Sequence, residues 1–319
     1  MSSSHLAARV ASCDLATTTI QAPAKLNLSL AVLGKRDDGL HEIESLMVPV
    51  TLHDTLHVRA TEGPAITLQV GFAGRLAEGA AQALNRDVPV DATNLVVRAA
   101  QALAREAGVQ KGLAIELIKE IPSGAGLGGG SSDAAAVLMA ASQVWGLNWP
   151  RERLAAIGAE IGSDIPWFFA GGPAIARGRG ERVEPVSGIP PLSVAIVCPA
   201  VGLSTASVYA RCVPDGSRRG LAPQLVAALN QGLSAAALSL LYNALEQPAR
   251  EICPEVTQLL ADLSAAGAVR PMMTGSGSAC FALVPSRSEA EQIAARLEAL
   301  EVRHTKLWPG VFVVGFGGN

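Results

Sequence analysis

Aromatic residues are scarce. They make up 4% of the 319 residues, with only two tyrosines. Platforms on which a protein stacks successive bases are therefore few. An excess of positive charge is also lacking: the formal net charge is −3. No basic field argues for a nucleic-acid partner, although a local patch could still hold a phosphorylated small molecule. The five cysteines, Cys13, Cys198, Cys212, Cys253 and Cys280, are odd in number and form no C-x-x-C pair. They read as buried or free thiols of a reducing compartment, not as a disulfide framework or a zinc site. No apolar run approaches the roughly 18 residues that a membrane span requires. The stretch before residue 19 is rich in Ser, Ala and Thr and lacks the apolar core of a signal peptide. Residues 1–18 are expected to be a disordered extension, and the protein to be soluble and cytoplasmic.

What the chain does have is length, apolar content and one unusual loop. With 319 residues and 49% hydrophobic content, it is too long for one average core, so two closely packed domains are expected. Five glycines fall between Gly124 and Gly130. A strand-like run over 113–121 leads into them, and a helix-like run from Ser132 to Trp145 leads out, opened by Ser131, Ser132 and Asp133 as a cap. Strand, glycine loop and helix together present bare N–H groups and a helix N-terminus to an anion. The loop lacks the Gly-Lys-Ser/Thr of a Walker A motif. It matches G-x-G-x-x-G as Gly124, Gly126 and Gly129, but no ribose-binding acid follows at the end of a next strand. Phosphate is the ligand this loop suits; a dinucleotide fold is the weaker alternative.

Along the chain, residues from Lys25 alternate: Leu26, Leu28 and Leu30 on one face, Lys25, Asn27 and Ser29 on the other. This predicts a half-buried strand over 19–33. Lys25 is one of only five lysines, placed in an otherwise apolar strand; the plain alternative is a solvated strand face. A turn at 34–41 is followed by strands predicted over 42–51, 55–60 and 66–72, with 73–92 irregular. Asn94 caps an amphipathic helix that stops at Gly108. Further helices are predicted over 151–161, 222–231, 234–250, 254–266 and 288–300. A hairpin is predicted at 174–186, and strands at 192–198, 269–273, 280–284 and 310–316. A second small-residue loop lies at 274–279, and the loop around Arg218 and Arg219 reads as solvated. Asp164 heads the apolar run Ile165, Pro166, Trp167, Phe168, Phe169. It is either a helix cap or a carboxylate held in a partly apolar cleft for proton transfer. There is no internal repeat, and strands and helices mix as in an α+β protein.

Three motifs in this order, Pro23-Ala-Lys-Leu-Asn-Leu28, Pro122-Ser-Gly-Ala-Gly-Leu-Gly-Gly-Gly-Ser-Ser132 and Thr274-Gly-Ser-Gly-Ser-Ala279, resemble those of the galactokinase, homoserine kinase, mevalonate kinase and phosphomevalonate kinase (GHMP) superfamily. Taken in order, they extend the resemblance over most of residues 19–316. Arg36-Asp-Asp-Gly-Leu-His41 and Gly162-Ser-Asp-Ile-Pro166 resemble one branch in particular. That branch phosphorylates the 2-hydroxyl of a cytidine-diphosphate-linked methylerythritol in non-mevalonate isoprenoid biosynthesis. The resemblance implies an ATP- and Mg²⁺-dependent small-molecule kinase, monomeric or weakly dimeric, with neither nucleic acid nor membrane as partner. It implies an N-terminal domain over 19–186 with a left-handed βαβ unit and a ferredoxin-like C-terminal domain over 187–319. ATP would bind along Pro122, Ser123, Gly124, Ala125, Gly126, Leu127, Gly128, Gly129, Gly130, Ser131 and Ser132. Asp164 would be the catalytic base, and Lys25 its cationic partner. Asn27 and Thr205 would lie by the substrate's polyol and diphosphate, and His41 and Tyr209 by its cytidine. Leu40 stands where the branch usually has Tyr. A Leu covers a base but cannot stack on it, so Tyr209 must supply more of that wall.

These residues permit phosphoryl transfer, which asks a protein mainly for positioning and charge stabilisation. Ser131 or Ser132 would add a hydroxyl near Mg²⁺. A sister kinase for homoserine or mevalonate, a nicotinamide-dependent oxidoreductase and a catalytically dead relative are the alternatives. The first has no use for His41 and Tyr209, the second lacks its ribose acid, and the presence of both Lys25 and Asp164 argues against the third.

Overall fold

The computed structural model describes residues 17–74, 88–199, 201–301 and 310–316. The first half contains β1 (Thr17–Lys35), β2 (His41–Thr61), β3 (Ile66–Phe72), α1 (Leu95–Ala107), β4 (Gly112–Lys119), α2 (Gly129–Val144), α3 (Arg151–Ile161), a 3₁₀ turn (Ile165–Ala170), β5 (Ala174–Gly178) and β6 (Arg182–Pro185). The second contains β7 (Leu192–Cys198), α4 (Thr205–Tyr209), α5 (Leu221–Leu229), α6 (Ala235–Ser239), β8 (Tyr242–Asn243), α7 (Glu246–Ile252), α8 (Pro254–Ala265), β9 (Met272–Met273), β10 (Cys280–Val284), α9 (Arg287–Glu301) and β11 (Gly310–Phe316). Residues 1–16 of the predicted extension and 75–87 of the predicted irregular stretch lie outside the described residues.

Seven strands form the first sheet, in the order β3-β4-β2-β1-β8, with β5 on β2 and β6 on β5. β3 and β4 run parallel, joined through α1, and all other pairings except β1–β8 are antiparallel. The helix α1 forms where its sequence says it should. Asn94 accepts from the Val96 N–H, Gly108 closes the end at φ 65°, and Val96, Val97, Ala99, Ala100 and Leu103 face inward. They pack on α2 and on Leu113, Ile115 and Leu117 of β4. The second sheet has the order β11-β7-β10-β9, antiparallel throughout. With helices between β7 and β9 and between β10 and β11, this is the β-α-β-β-α-β plan of a ferredoxin-like domain.

Several boundaries differ from the sequence reading, each for a long-range reason. β1 is buried on both faces from Ala24 to Val32, because the second half packs on Leu26 and Leu28 while the glycine loop and Thr274 close over Lys25 and Asn27. Register shifts between Pro23 and Lys25 and between Asn27 and Ser29 bracket the two polar side chains, and such bulges re-aim side chains locally. β2 is one strand of 21 residues rather than two. Its polar centre does not turn, because Asp54 is buried and its Oδ1 accepts from the Glu120 and Ile121 N–H groups at 2.6 and 2.9 Å. The helix predicted over 234–250 is three elements, α6, β8 and α7. Asn243 pairs with Leu30 of β1, and Pro248 falls in the first turn of α7, where a missing N–H costs nothing. The strand predicted over 269–273 shrinks to β9.

The halves share their cores. Leu26, Leu28, Leu46 and Val48 pack in one cluster with Val194, Ile196, Phe281 and Leu283. Leu30, Val32 and Ile43 join Ala195, Val197, Val256 and Leu259 on the other side of β7. A polar link crosses the same boundary. Buried Glu44 on β2 accepts from the Gly220 and Ala222 N–H groups at 2.8 and 3.3 Å and meets Arg177 Nε at 3.2 Å. It thus caps α5 from 176 residues away, offsetting the unsatisfied donors and positive end of that helix. Glu44→Ala should lower stability to urea by about 2 kcal/mol, and Glu44→Gln, which keeps an acceptor, by roughly half as much. A loss below about 0.5 kcal/mol for Glu44→Ala, the range of an ordinary surface change, would remove Glu44 from this role.

Candidate active site

The glycine loop leaves β4 and turns into α2 three residues earlier than the sequence suggests. The cap is Gly128, at φ 74°, and no side chain takes its place. Ser132 and Asp133 lie inside the helix. The loop is strapped on both sides. Lys25 N–H of β1 donates to Leu127 O at 2.9 Å, and Ala279 N–H of the second small-residue loop donates to Ala125 O at 3.0 Å. Ala125 and Leu127 are buried in the shared core. The two loops approach backbone to backbone. A Cβ on Gly126 would stand 2.4 Å from Thr274 O, and one on Gly275 would stand 2.8 Å from Gly126 O and 3.0 Å from Lys25 Nζ. Both glycines have positive φ, so glycine is required there by conformation and by space.

Between the loops lies a cleft of about 390 Å³. Lys25, Asn27, Asp164, Thr205 and Tyr209 line it, with Pro122, Gly124, Ala125, Gly126, Leu127, Gly128, Gly130 and Ser131. Ser123 lines an adjoining hollow of about 320 Å³ instead, which shares Leu95, Gly124 and Gly130 with the cleft. Gly129 and Ser132 line neither; Gly129 presses on Ile121 and Lys119. His41 is not on the cleft wall. Its ring sits 5.1 Å from that of Tyr209, tilted by 34°, and so backs the ring that is. Leu40 is exposed. The apolar lining of the cleft, Leu30, Ile43, Met47, Leu203 and Leu245, was not singled out as a site in the sequence, and Gly275 and Ser276, also on the wall, come from the second small-residue loop at 274–279. Thr205 Oγ1 lies 2.9 Å from Ser276 Oγ.

Lys25 is buried, and its ammonium donates to Asn27 Oδ1 at 2.6 Å and Gly126 O at 2.8 Å. That leaves one of its three donors. Burial holds its pKa below the usual lysine value, against the opposite pull of the Asp164 charge. Asp164 precedes the 3₁₀ turn but makes no side-chain cap bond, so of the two readings of this residue the cap is the one the geometry lacks. Tyr209 is pushed up by burial and then by the Asp164 charge. Burial, then Lys35, lowers His41.

A second buried lysine went unnoticed in the sequence. Lys119 Nζ sits between Asp54 and Asp133, at 2.7 Å from Asp133 Oδ2. Against the pull of burial, the two carboxylates hold its pKa up, and burial pushes Asp133 up to about 8. The signal that marked Lys25, a rare lysine in an apolar strand, marks Lys119 equally. Asp133 Oδ1 and Ser132 Oγ are buried without a partner among the described residues.

The family model described as GHMP kinases N terminal domain matches residues 94–172, and that described as GHMP kinases C terminal matches 221–302. The 4-diphosphocytidyl-2-C-methyl-D-erythritol kinase of Pelotomaculum thermopropionicum is 42% identical over 279 residues, 87% of this chain and 93% of that one. The chain belongs to the GHMP kinases. The enzyme of the same name from Rhodopirellula baltica is 41% identical, covering 87% of this chain and 90% of its own. A crystal structure of 4-(cytidine 5'-diphospho)-2C-methyl-D-erythritol kinase superposes with a TM-score of 0.73 at 33% identity, over 95% of this chain and all of the other. The homoserine kinase of Cytophaga hutchinsonii, at 19% identity and TM-score 0.72, shares the fold. As a GHMP kinase the protein takes ATP as co-substrate.

The loop contact gives a direct test. Gly126→Ala should destabilise by about 2–4 kcal/mol, combining left-handed strain with overpacking, and should weaken ATP binding. Gly124→Ala, also at positive φ but with only Gly202 Cα near, at 3.8 Å, should cost about 1–2 kcal/mol of strain alone. Equal losses in thermal unfolding would show that the contact between the loops does not constrain them.

Proposed function

We propose that this GHMP kinase phosphorylates the 2-hydroxyl of 4-diphosphocytidyl-2-C-methyl-D-erythritol with ATP, in non-mevalonate isoprenoid precursor synthesis. The observation that carries this reading is the similarity, over 87% of the chain, to kinases of that name at about 40% identity. The division of labour follows the two halves. Residues 19–186 supply the nucleotide loop, Lys25 and Asp164; residues 187–319 supply Thr205 and Tyr209. The ATP phosphates lie along residues 122–132, against the loop N–H groups and the N-terminus of α2. The hollow of about 320 Å³, reached across Gly124 and Gly130, suits the nucleoside. The acceptor occupies the larger cleft, its diphosphate by Thr205 and Asn27, its cytosine against Tyr209 with His41 behind.

The acceptor hydroxyl donates to Asp164, a carboxylate with no hydrogen bond to the described residues. As its oxygen bonds to the γ-phosphorus, the bond from that phosphorus to the β–γ bridging oxygen breaks. The proton passes to Asp164, and ADP leaves with the electron pair. Lys25, fixed by Asn27 and Gly126, turns its remaining N–H toward the transferring group and offsets its charge. Among the described residues no three His, Cys, Asp or Glu form a metal cluster. A Mg²⁺ that came with the nucleotide phosphates would need only one or two protein oxygens; Ser131, on the cleft wall, is the loop's candidate, while the unpartnered Ser132 hydroxyl is buried off both hollows. When bound, Mg²⁺ neutralises phosphate charge. No described helix is long and apolar enough to cross a membrane, and the proposed setting is the cytoplasm, on a monomer or weak homodimer.

An ADP-coupled assay over a panel of alcohols, with the product mapped by ³¹P NMR, tests the acceptor. The cytidylated methylerythritol should turn over, and CDP should raise the unfolding temperature. Turnover of homoserine or mevalonate instead, with no effect of CDP, would overturn the acceptor. Asp164→Asn should keep ATP binding and lose about 10²- to 10⁴-fold in kcat; near-normal turnover would remove Asp164 from the role. A separate measurement addresses Lys25. Because burial lowers its pKa, the ammonium is lost as pH rises through a value below 10.5, the usual one. The alkaline fall in kcat should therefore come earlier than for an ordinary lysine. In Lys25→Arg, whose guanidinium stays charged, that limb should disappear. Its persistence would assign the limb to another group.

A further inference from the structure

The ammonium of Lys25 is aimed in part by residues behind the cleft wall. It rests on Asn27 Oδ1, and Asn27 has little freedom to turn. Its Nδ2 donates to Ser45 Oγ at 2.8 Å, and Ser45 in turn donates to Ser29 O at 2.6 Å. The other side of Asn27 is held from 247 residues away. Thr274 Oγ1 accepts from the Asn27 backbone N–H at 3.0 Å and donates to Asn27 Oδ1 at 3.4 Å. The same Oδ1 therefore faces two donors, the Lys25 ammonium and the Thr274 hydroxyl. Thr274 is fully buried and is not part of the cleft wall, although its neighbours Gly275 and Ser276 are.

Thr274 is itself clamped. Its N–H donates to Ala279 O at 3.0 Å, closing the small-residue loop. Asn243 Nδ2 bridges Met273 O and Gly275 O at 2.8 and 2.9 Å, on either side of Thr274. Asn243 Oδ1 accepts from Leu245 N–H at 2.9 Å, and the next residue, Ala244, donates its N–H to Leu30 O of β1 at 2.8 Å. The chain of bonds thus starts on β1, passes through β8 and the 274–279 loop, and returns to β1 at Asn27.

We propose that Thr274 is a positioning residue for phosphoryl transfer, held by Asn243 and acting through Asn27 to fix the direction of the Lys25 ammonium. The inference rests on the role given to Lys25 above. A group that only holds the fold would affect stability and both substrates alike. A group that aims a charge used in the transition state affects kcat, because a misplacement of an ångström is felt in the rate rather than in ground-state binding.

The test uses the full-length enzyme. Thr274→Val keeps the shape and removes the hydroxyl; Thr274→Ser keeps the hydroxyl. The kcat and the KM for ATP and for the cytidylated alcohol are measured in each. Thr274→Val should lose about 10- to 100-fold in kcat with both KM values within about twofold, and Thr274→Ser should recover most of the loss. In a Lys25→Ala background Thr274→Val should add almost nothing, since the two act as one unit. A Thr274→Val kcat within about twofold of wild type, an equal loss in Thr274→Ser, or full additivity with Lys25→Ala would overturn the proposal. If Lys25→Ala alone turns over normally, the role of Lys25 has failed, a result distinguishable from failure of Thr274. Thr274→Ala replaces Val where Val does not fold; if neither folds, Thr274 is a brace of the fold and the proposal is overturned.

Discussion

A buried ammonium is the constraint around which this structure is arranged. Taking a lysine out of water is costly unless its donors are met. Lys25 has no carboxylate within ion-pair distance among the described residues, so an amide oxygen and a backbone carbonyl do the work instead. The amide is Asn27 and the carbonyl is Gly126. The first requires Ser45 and Thr274 to hold it; the second requires the glycine loop to lie against β1. A bulge on each side of the pair lets β1 point both Lys25 and Asn27 inward without losing its neighbours. Satisfying one cation thus ties together the hairpin of the first half, the phosphate loop and the 274–279 loop of the second.

Lys119 makes a contrasting use of the same side chain. It meets two carboxylates directly and joins the end of β4 to β2 and to the N-terminal part of α2. Such buried ion groups are weak evidence for stability as such, but removing one member leaves charge uncompensated. Here the geometry ties both ends of the glycine loop to the sheet. The loop is therefore fixed at its base by ions and at its crest by backbone hydrogen bonds to Lys25 and Ala279.

Much of this was legible in the sequence, and what was not has a common cause. The helices 95–107 and 151–161 and the strands 192–198 and 280–284 carry their own caps and periods, so local reading finds them. The loop announces itself through its glycines, Lys25 through rarity, and Asp164 through the apolar run behind it; all three reach one cleft. The failures are at Asp54 and Asn243. Asp54 reads as the gap between two strands and Asn243 as a residue within a helix, and short polar side chains usually bond to nearby backbone. In the fold their partners are 66 and 30 residues away, which nothing local reveals. The apolar lining of the cleft was invisible for a similar reason: Leu30, Met47 and Leu245 look like any other core residues until the sheet places them side by side.

The cores shared by the two halves have a consequence for the cleft. Leu26, Leu28, Val194, Ile196 and Phe281 interlock in one cluster, and Glu44 bridges the same boundary. A hinge that swung one half away from the other would expose this surface to water at each turnover. With the halves docked, that surface stays dry and Glu44 keeps its partners. The wall of the cleft is thus set by a core that belongs to neither half alone.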